Sequence, residues 1–105
     1  MNISRGDIFL AGLDPVIVVS NNTGNQYSGT VTVIPVTSKN LGKIYPFEIY
    51  LPQEESQLEK KSKGKADQIR TIDKARLIKP IGKLTQGLMG SLDKAIRIHL
   101  NLDLE

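Results

Sequence analysis

The spacing of apolar and polar residues changes period once along the chain. Residues 7–11, DIFLA, have strand character, and Val16–Val19 form a continuous β-branched run, the pattern of a strand buried on both faces. TVTVIPVTS, residues 30–38, alternates, with Val31 and Val33 pointing one way and Thr32 and Ile34 the other. Pro35 has no N–H to give a ladder, so it marks a sheet edge or the end of regular pairing. FEIYL at 47–51 predicts another strand, and ADQIRT (66–71) and ARLIKPIG (75–82) predict two more. The intervening NNTGNQYSG (21–29) and PQEESQLEKKSKG (52–64) are polar and read as loops. Past residue 83 the period lengthens. Leu84, Leu88, Leu92, Ala95, Ile96, His99 and Leu100 share one helical face, and Thr85 is placed to cap it. Gly87 and Gly90 each weaken that helix by about 1 kcal/mol relative to Ala, so it depends on packing. Strands over roughly 7–81 and a helix over roughly 85–100 predict a mainly β protein. Its expected form is a small, strongly bent antiparallel sheet or barrel with a C-terminal α-helix.

Composition narrows the class. A chain of 105 residues without repeat or linker predicts one domain, residues 1–105. With 39% apolar and 24% charged residues it has a globular composition. Cysteine is absent, which excludes disulfides and thiolate metal sites and suits a reducing compartment. MNISRGDIF lacks the basic and apolar regions of a signal peptide, and no apolar run reaches membrane-span length. The expectation is a cytoplasmic protein with no membrane association. A net charge of +3 is a mild bias toward anionic partners. The cations cluster: Lys60, Lys61, Lys63, Lys65, Lys74 and Lys79, with Arg70 and Arg76, fall between residues 60 and 79. A solvated surface accounts for them equally well.

Much chemistry is ruled out. There is no thiol nucleophile, no pair of histidines, no carboxylate cluster at metal-ligand spacing and no Gly-rich phosphate loop. Neither metal nor cofactor is expected. His99, on the apolar helix face, reads as a packed residue. The remaining candidates are polar residues at strand ends. Thr37 and Ser38 close the alternating strand, Glu48 follows Tyr45-Pro46-Phe47, and Asp67, Gln68 and Arg70 lie in KADQIRTIDK. Each alone reads as structural: a strand-end hydroxyl, a turn carboxylate, a surface cation.

In order, the segments resemble the MazF/PemK/Kid toxins. RGDIF (5–9), LDPV (13–16), PVIVVSNN (15–22), IPVTS (34–38), YPFEI (45–49) and ADQIRTIDKARL (66–77) carry the likeness nearly end to end. The resemblance implies an SH3-like antiparallel barrel of the Kid/MazF/CcdB toxin type, an isologous homodimer and a cognate antitoxin that holds it inactive. It implies a ribosome-independent, growth-inhibiting endoribonuclease for single-stranded RNA. In that metal-free reaction the 2′-hydroxyl attacks the adjacent phosphate, leaving a 2′,3′-cyclic phosphate and a 5′-hydroxyl. A base, an acid and donors for the phosphoryl oxygens are needed, along with a groove for splayed bases. Thr37 matches the active-site threonine, with Ser38 and Lys39 beside it, and Asp67 an acidic position used in acid–base work or base reading. Gln68 matches an RNA-contacting glutamine, with Arg70 nearby. Lys65 stands where some members have a phosphate-binding arginine, retaining the charge without the bidentate fork. Tyr45 offers a stacking face, whereas Phe47 suits either that face or the core.

One departure matters. Family members have a longer loop between the first two strands, reaching Arg-Pro-Val and supplying the catalytic arginine or its surroundings. Here LDPV runs directly into PVIVV, and Asp14 precedes Pro15 where the family has arginine. Omission, deliberate deletion and a natural short loop all account for this, and the clean match of both flanks favours the first two. The expectation is a chain that cleaves poorly. Two other functions fit the same sequence. A CcdB-like toxin binds gyrase through its C-terminal helix and needs neither Thr37 nor Asp67. A decoy or general nucleic-acid binder holds antitoxin or RNA without cutting.

Overall fold

The computed structural model describes residues 1–102. Strands β1 (Asp7–Ala11), β2 (Asp14–Val18) and β3 (Thr30–Thr37) are followed by β4 (Glu48–Leu51), β5 (Ser62–Lys65), β6 (Arg70–Asp73) and β7 (Leu77–Lys83). Helices α1 (Asn22–Tyr27) and α2 (Gln53–Ser56) are short, and α3 (Gln86–Leu100) ends the described chain. The sheet order is β4-β5-β3-β2-β1-β7, with β6 also on β3.

Strand β3 organises this arrangement. One edge pairs with β2, from Val16↔Pro35 to Val18↔Val33. The other edge changes partner, pairing with β6 from Thr30 to Val33 and with β5 at Val36 and Thr37. Pro35 falls between these partners. Regular pairing therefore lapses at Pro35 on one edge only, where a missing N–H is least costly. The sheet curls like a barrel but stays open, because no pairing joins β6 to β7.

Its two faces bury two cores, as alternation along β2 and β3 requires. Phe9, Val16, Val18, Val31, Val33 and Leu77 fill the inside of the curl. Ile8, Ile17, Ile34, Val36, Ile49 and Leu51 pack on the other side against Leu88, Leu92 and Ala95 of α3. Thr85 caps α3 by accepting the Leu88 N–H at 3.2 Å. The apolar face of α3 ends early: His99 and Leu100 are exposed, and the His99 ring lies 6.4 Å from that of Phe47, packed at the edge and outside the core.

Two segments that read as loops contain structure. In 21–29, Asn21 caps α1 by accepting the Gly24 N–H at 2.7 Å, and Asn25 is buried. In 52–64, α2 precedes the start of β5. Conversely, ADQIRT is not one strand, since Ala66–Gln68 form a 3-10 turn ahead of β6. The first two strands close through the two-residue turn Gly12–Leu13, with Ala11 paired to Asp14. Gly12 has φ +65°, so glycine at the first central position suits a type II′ hairpin.

Gly64 lies where β5 crosses the helix-side core. A Cβ there would meet Ile49 Cγ2 at 2.9 Å, Ile34 Cδ1 at 3.1 Å and Ile17 Cδ1 at 3.2 Å. Gly64→Ala is expected to overpack this core and destabilise the fold by about 1–3 kcal/mol, seen as a lower urea midpoint at unchanged slope.

Candidate nucleic-acid interface

Alternation sorts the residues of β3, β5 and β4. Val36, Gly64 and Ile49 face the helix-side core, so their neighbours face outward. The register sets Thr37 across from Lys63, Lys63 across from Tyr50, and Lys65 across from Glu48. Continuing the β2–β3 register beyond Val16↔Pro35 brings Asp14 opposite Thr37. A row Asp14–Thr37–Lys63–Tyr50 thus crosses four strands on one outer face. The connection 38–47 crosses that face above Lys63, which binds Asn40 O and Lys43 O, and two clefts take residues from it.

The first cleft, about 600 Å³, is lined by Thr37, Ser38, Lys39, Asp14, Lys60 and Lys79 among others. The second, about 550 Å³, is lined by Lys43, Tyr45, Phe47, Lys65 and Asp67. Thr37 and Asp67 line different clefts, and the Thr37 cleft reaches Val36, Leu58 and Ile81 at the edge of the helix-side core. Gln68 and Arg70 are exposed and line neither. Gln68 ends the 3-10 turn that follows Lys65, and Arg70 begins β6 beyond it.

Several groups are poised for a ligand. Thr37 Oγ1 accepts the Lys39 N–H at 3.1 Å, which turns the chain into the connection and leaves the hydroxyl proton free to donate. Asp67 Oδ1 is buried without a hydrogen-bond partner. Such an orphaned acceptor is costly and gains from an incoming donor. Tyr45 and Phe47 stack with centroids 5.4 Å apart and planes 9° apart, and Lys43 Nζ sits 4.8 Å from the Tyr45 centroid. Phe47 lies outside both core clusters and supports Tyr45 from behind.

Sequence reasoning named Glu48 but gave it no role, and it missed that Glu48 binds lysines at the centre of this face. The Glu48 side chain is only 1% exposed and binds Lys65 Nζ at 2.8 Å and Lys63 Nζ at 3.1 Å. It also accepts the Tyr45 N–H at 2.9 Å. Burial pushes the Glu48 carboxyl up, but hydrogen bonds from Lys65, Tyr45 and Lys63 outweigh it and hold the pKa below the usual carboxylate range. The bond to Glu48 outweighs desolvation at Lys65 and raises the ammonium above the ordinary lysine value. Lys65 therefore stays protonated, with its charge already paired. The alternating Ser62-Lys63-Gly64-Lys65 was a legible strand signal hidden in a charged run.

A hydroxyl, carboxylates and lysines thus meet on the outer face of a curled sheet that rests on one terminal helix. That architecture is shared with small bacterial toxins. A mycobacterial endoribonuclease structure aligns with TM-score 0.89 at 24% identity, covering 100% of this chain and 97% of that one. A second, solved in complex with its cognate antitoxin and also mycobacterial, aligns with TM-score 0.84 at 23% identity, covering 99% and 98%. At those identities the likeness is one of fold. The chain belongs to the PemK-like, MazF-like toxin family of type II toxin–antitoxin systems, which it matches over residues 4–100. Endoribonuclease MazF9 of Mycobacterium tuberculosis (strain ATCC 25618 / H37Rv) is 37% identical over 114 residues, covering 93% of this chain and 96% of the relative. That alignment is longer than the 105 residues of this chain, so the relative has residues without a counterpart here.

The shifts at Glu48 and Lys65 fix a stability window. Glu48, depressed in the fold, stabilises above the unfolded carboxylate pKa, and this is lost as pH falls through its lower folded value. Lys65, raised in the fold, stabilises below the unfolded lysine pKa, and this is lost as pH rises through its higher folded value. Urea midpoints against pH are expected to show a neutral plateau with both limbs, and Glu48→Gln to flatten the acid limb.

Proposed function

We propose that this chain is an endoribonuclease toxin acting on single-stranded RNA and neutralised by a cognate antitoxin. The observation that supports it most directly is the outer face itself. Thr37 offers a free hydroxyl proton in a cleft with Lys39, and Asp67 offers an unpaired buried oxygen beside Lys65 and Tyr45. Thr37 donates to a phosphoryl oxygen of the scissile phosphate, with Ser38 and Lys39 beside it. Asp67 accepts a proton or a base donor, while Tyr45 supplies a stacking face. Lys65 contributes charge but not a proton, because Glu48 holds it protonated. Gln68 and Arg70 meet RNA that extends beyond the clefts. The reaction is internal transfer at phosphorus: the 2′-oxygen bonds to the phosphate and the 5′-oxygen leaves with a proton.

The relatives support the reading by name: MazF9 is an endoribonuclease, and one solved relative is an endoribonuclease with its antitoxin. The toxin acts as a single unit of residues 1–105, as an isologous homodimer, in the cytoplasm. No helix among the described residues is long and apolar enough to cross a membrane. A gyrase-binding reading gains no support from α3, whose apolar residues Leu88, Leu92 and Ala95 are spent on its own sheet.

The short hairpin lowers the rate. Asp14, not arginine, stands opposite Thr37, so no guanidinium clamps the phosphate there. Purified protein is expected to cut a single-stranded RNA oligonucleotide slowly, leaving a 2′,3′-cyclic phosphate and a 5′-hydroxyl, in chelator as in its absence. Thr37→Ala is expected to lower kcat by about 10²–10³. Inserting an arginine-bearing loop between Leu13 and Pro15 is expected to raise the rate. Cleavage at equal rates with and without Thr37 would remove it from the mechanism.

A further inference from the structure

Lys63 is the one lysine on the outer face that solvent does not reach: its side chain is 4% exposed. A buried ammonium survives only if its donors are used. All three are: Lys63 Nζ donates to Asn40 O at 2.9 Å, Lys43 O at 3.2 Å and Glu48 Oε1 at 3.1 Å. Two of these acceptors are backbone carbonyls of the connection 38–47, which has no helix or strand of its own. Glu48 grips the far end of the same connection through the Tyr45 N–H at 2.9 Å. Asn40 is left-handed, with φ 57°, a conformation asparagine tolerates in turns.

The connection holds Lys39 at one cleft and Lys43 at the other. Among the described residues, neither has a carboxylate within ion-pair reach, whereas Lys63 and Lys65 are both bound to Glu48. Lys60 and Lys79 add charge to the Thr37 cleft from elsewhere, but Lys39 and Lys43 lie on a segment that the buried pair ties down at Asn40, Lys43 and Tyr45. We propose that Lys63 and Glu48 are positioning residues, a buried latch that sets the 38–47 connection and thereby aims Lys39 and Lys43 at the RNA backbone. This rests on the endoribonuclease reading and extends it: two residues out of reach of RNA govern how many phosphates the protein neutralises.

Salt dependence separates this role from a general loss of stability. Each phosphate contact on single-stranded RNA adds about 0.7 to the slope of log affinity against log salt. Lys39→Ala/Lys43→Ala is expected to reduce that slope for a single-stranded oligonucleotide. Lys63→Met, which removes no exposed charge, is expected to reproduce much of the reduction and to weaken binding about tenfold at moderate salt. Amide hydrogen exchange in 38–47 is expected to quicken while β1–β3 stay protected. Should Lys63→Met fail to fold, Lys63→Gln keeps an amide donor for the connection's carbonyls, leaves the Glu48–Lys65 pair intact and is expected to give a smaller shift in the same direction. Unchanged exchange in 38–47 overturns the latch. Faster exchange with an unchanged salt slope overturns its role in aiming the lysines. An unmutated chain that neither binds nor cuts RNA sinks the endoribonuclease reading and the aiming role with it, while the exchange data still judge the latch alone.

Discussion

Everything in this fold hangs on one strand that serves two partners along a single edge. Strand β3 gives its first half to β6 and its last two residues to β5, with Pro35 at the change. The change lets one strand wall two cores. Val31 and Val33 line the curl, and Ile34 and Val36 line the layer under α3. It also sends the end of β3 out beside β5, so that Thr37 emerges on a face with no apolar cover. A continuous β3–β6 pairing would leave β5 and β4 without a template.

The outer face is built around a buried carboxylate. Glu48 is placed there by alternation, since Ile49 and Leu51 on the same strand must enter the core. Once buried it needs donors, and the β4–β5 register presents lysines at both outward positions. Breaking such a buried pair by removing one partner generally costs about 3–5 kcal/mol. Its geometry here does more than hold charge, because the third partners of Lys63 and Glu48 are backbone groups of the connection across the face. Packing, electrostatics and placement of the clefts are thereby one problem.

The hairpin between β1 and β2 closes that face on its far side. Its tip is tight and well paired, yet Leu13 is 95% exposed. Leu13 stands beside Asp14 on the lining of the Thr37 cleft. The fold tolerates the short turn because Gly12 supplies the positive φ that two-residue hairpins use. The turn's cost is electrostatic, because Asp14 puts a carboxylate into the Thr37 cleft, where it opposes the lysines.

Local pattern alone was enough to read β1, β3, β4, β7 and α3, because each has a clean period and a clear stop. Thr37 and Asp67 came instead from the resemblance of their flanking segments to a toxin family, and their roles stand as proposals. Local pattern failed for α1, where capping by Asn21 organises a polar run that has no apolar period. It failed again for β5, whose Lys63 and Lys65 look solvated until Glu48 lies across from them. His99 misled in the opposite sense, sharing a face with Leu92 but lying past the sheet that covers it. The sequence by itself determined which residues alternate, which turns close and which motifs are present. Only the tertiary structure decided that Lys63 and Lys65 are committed to a buried carboxylate. That outcome depends on which strands become neighbours, and no local period encodes the distance between residues 40, 48 and 63.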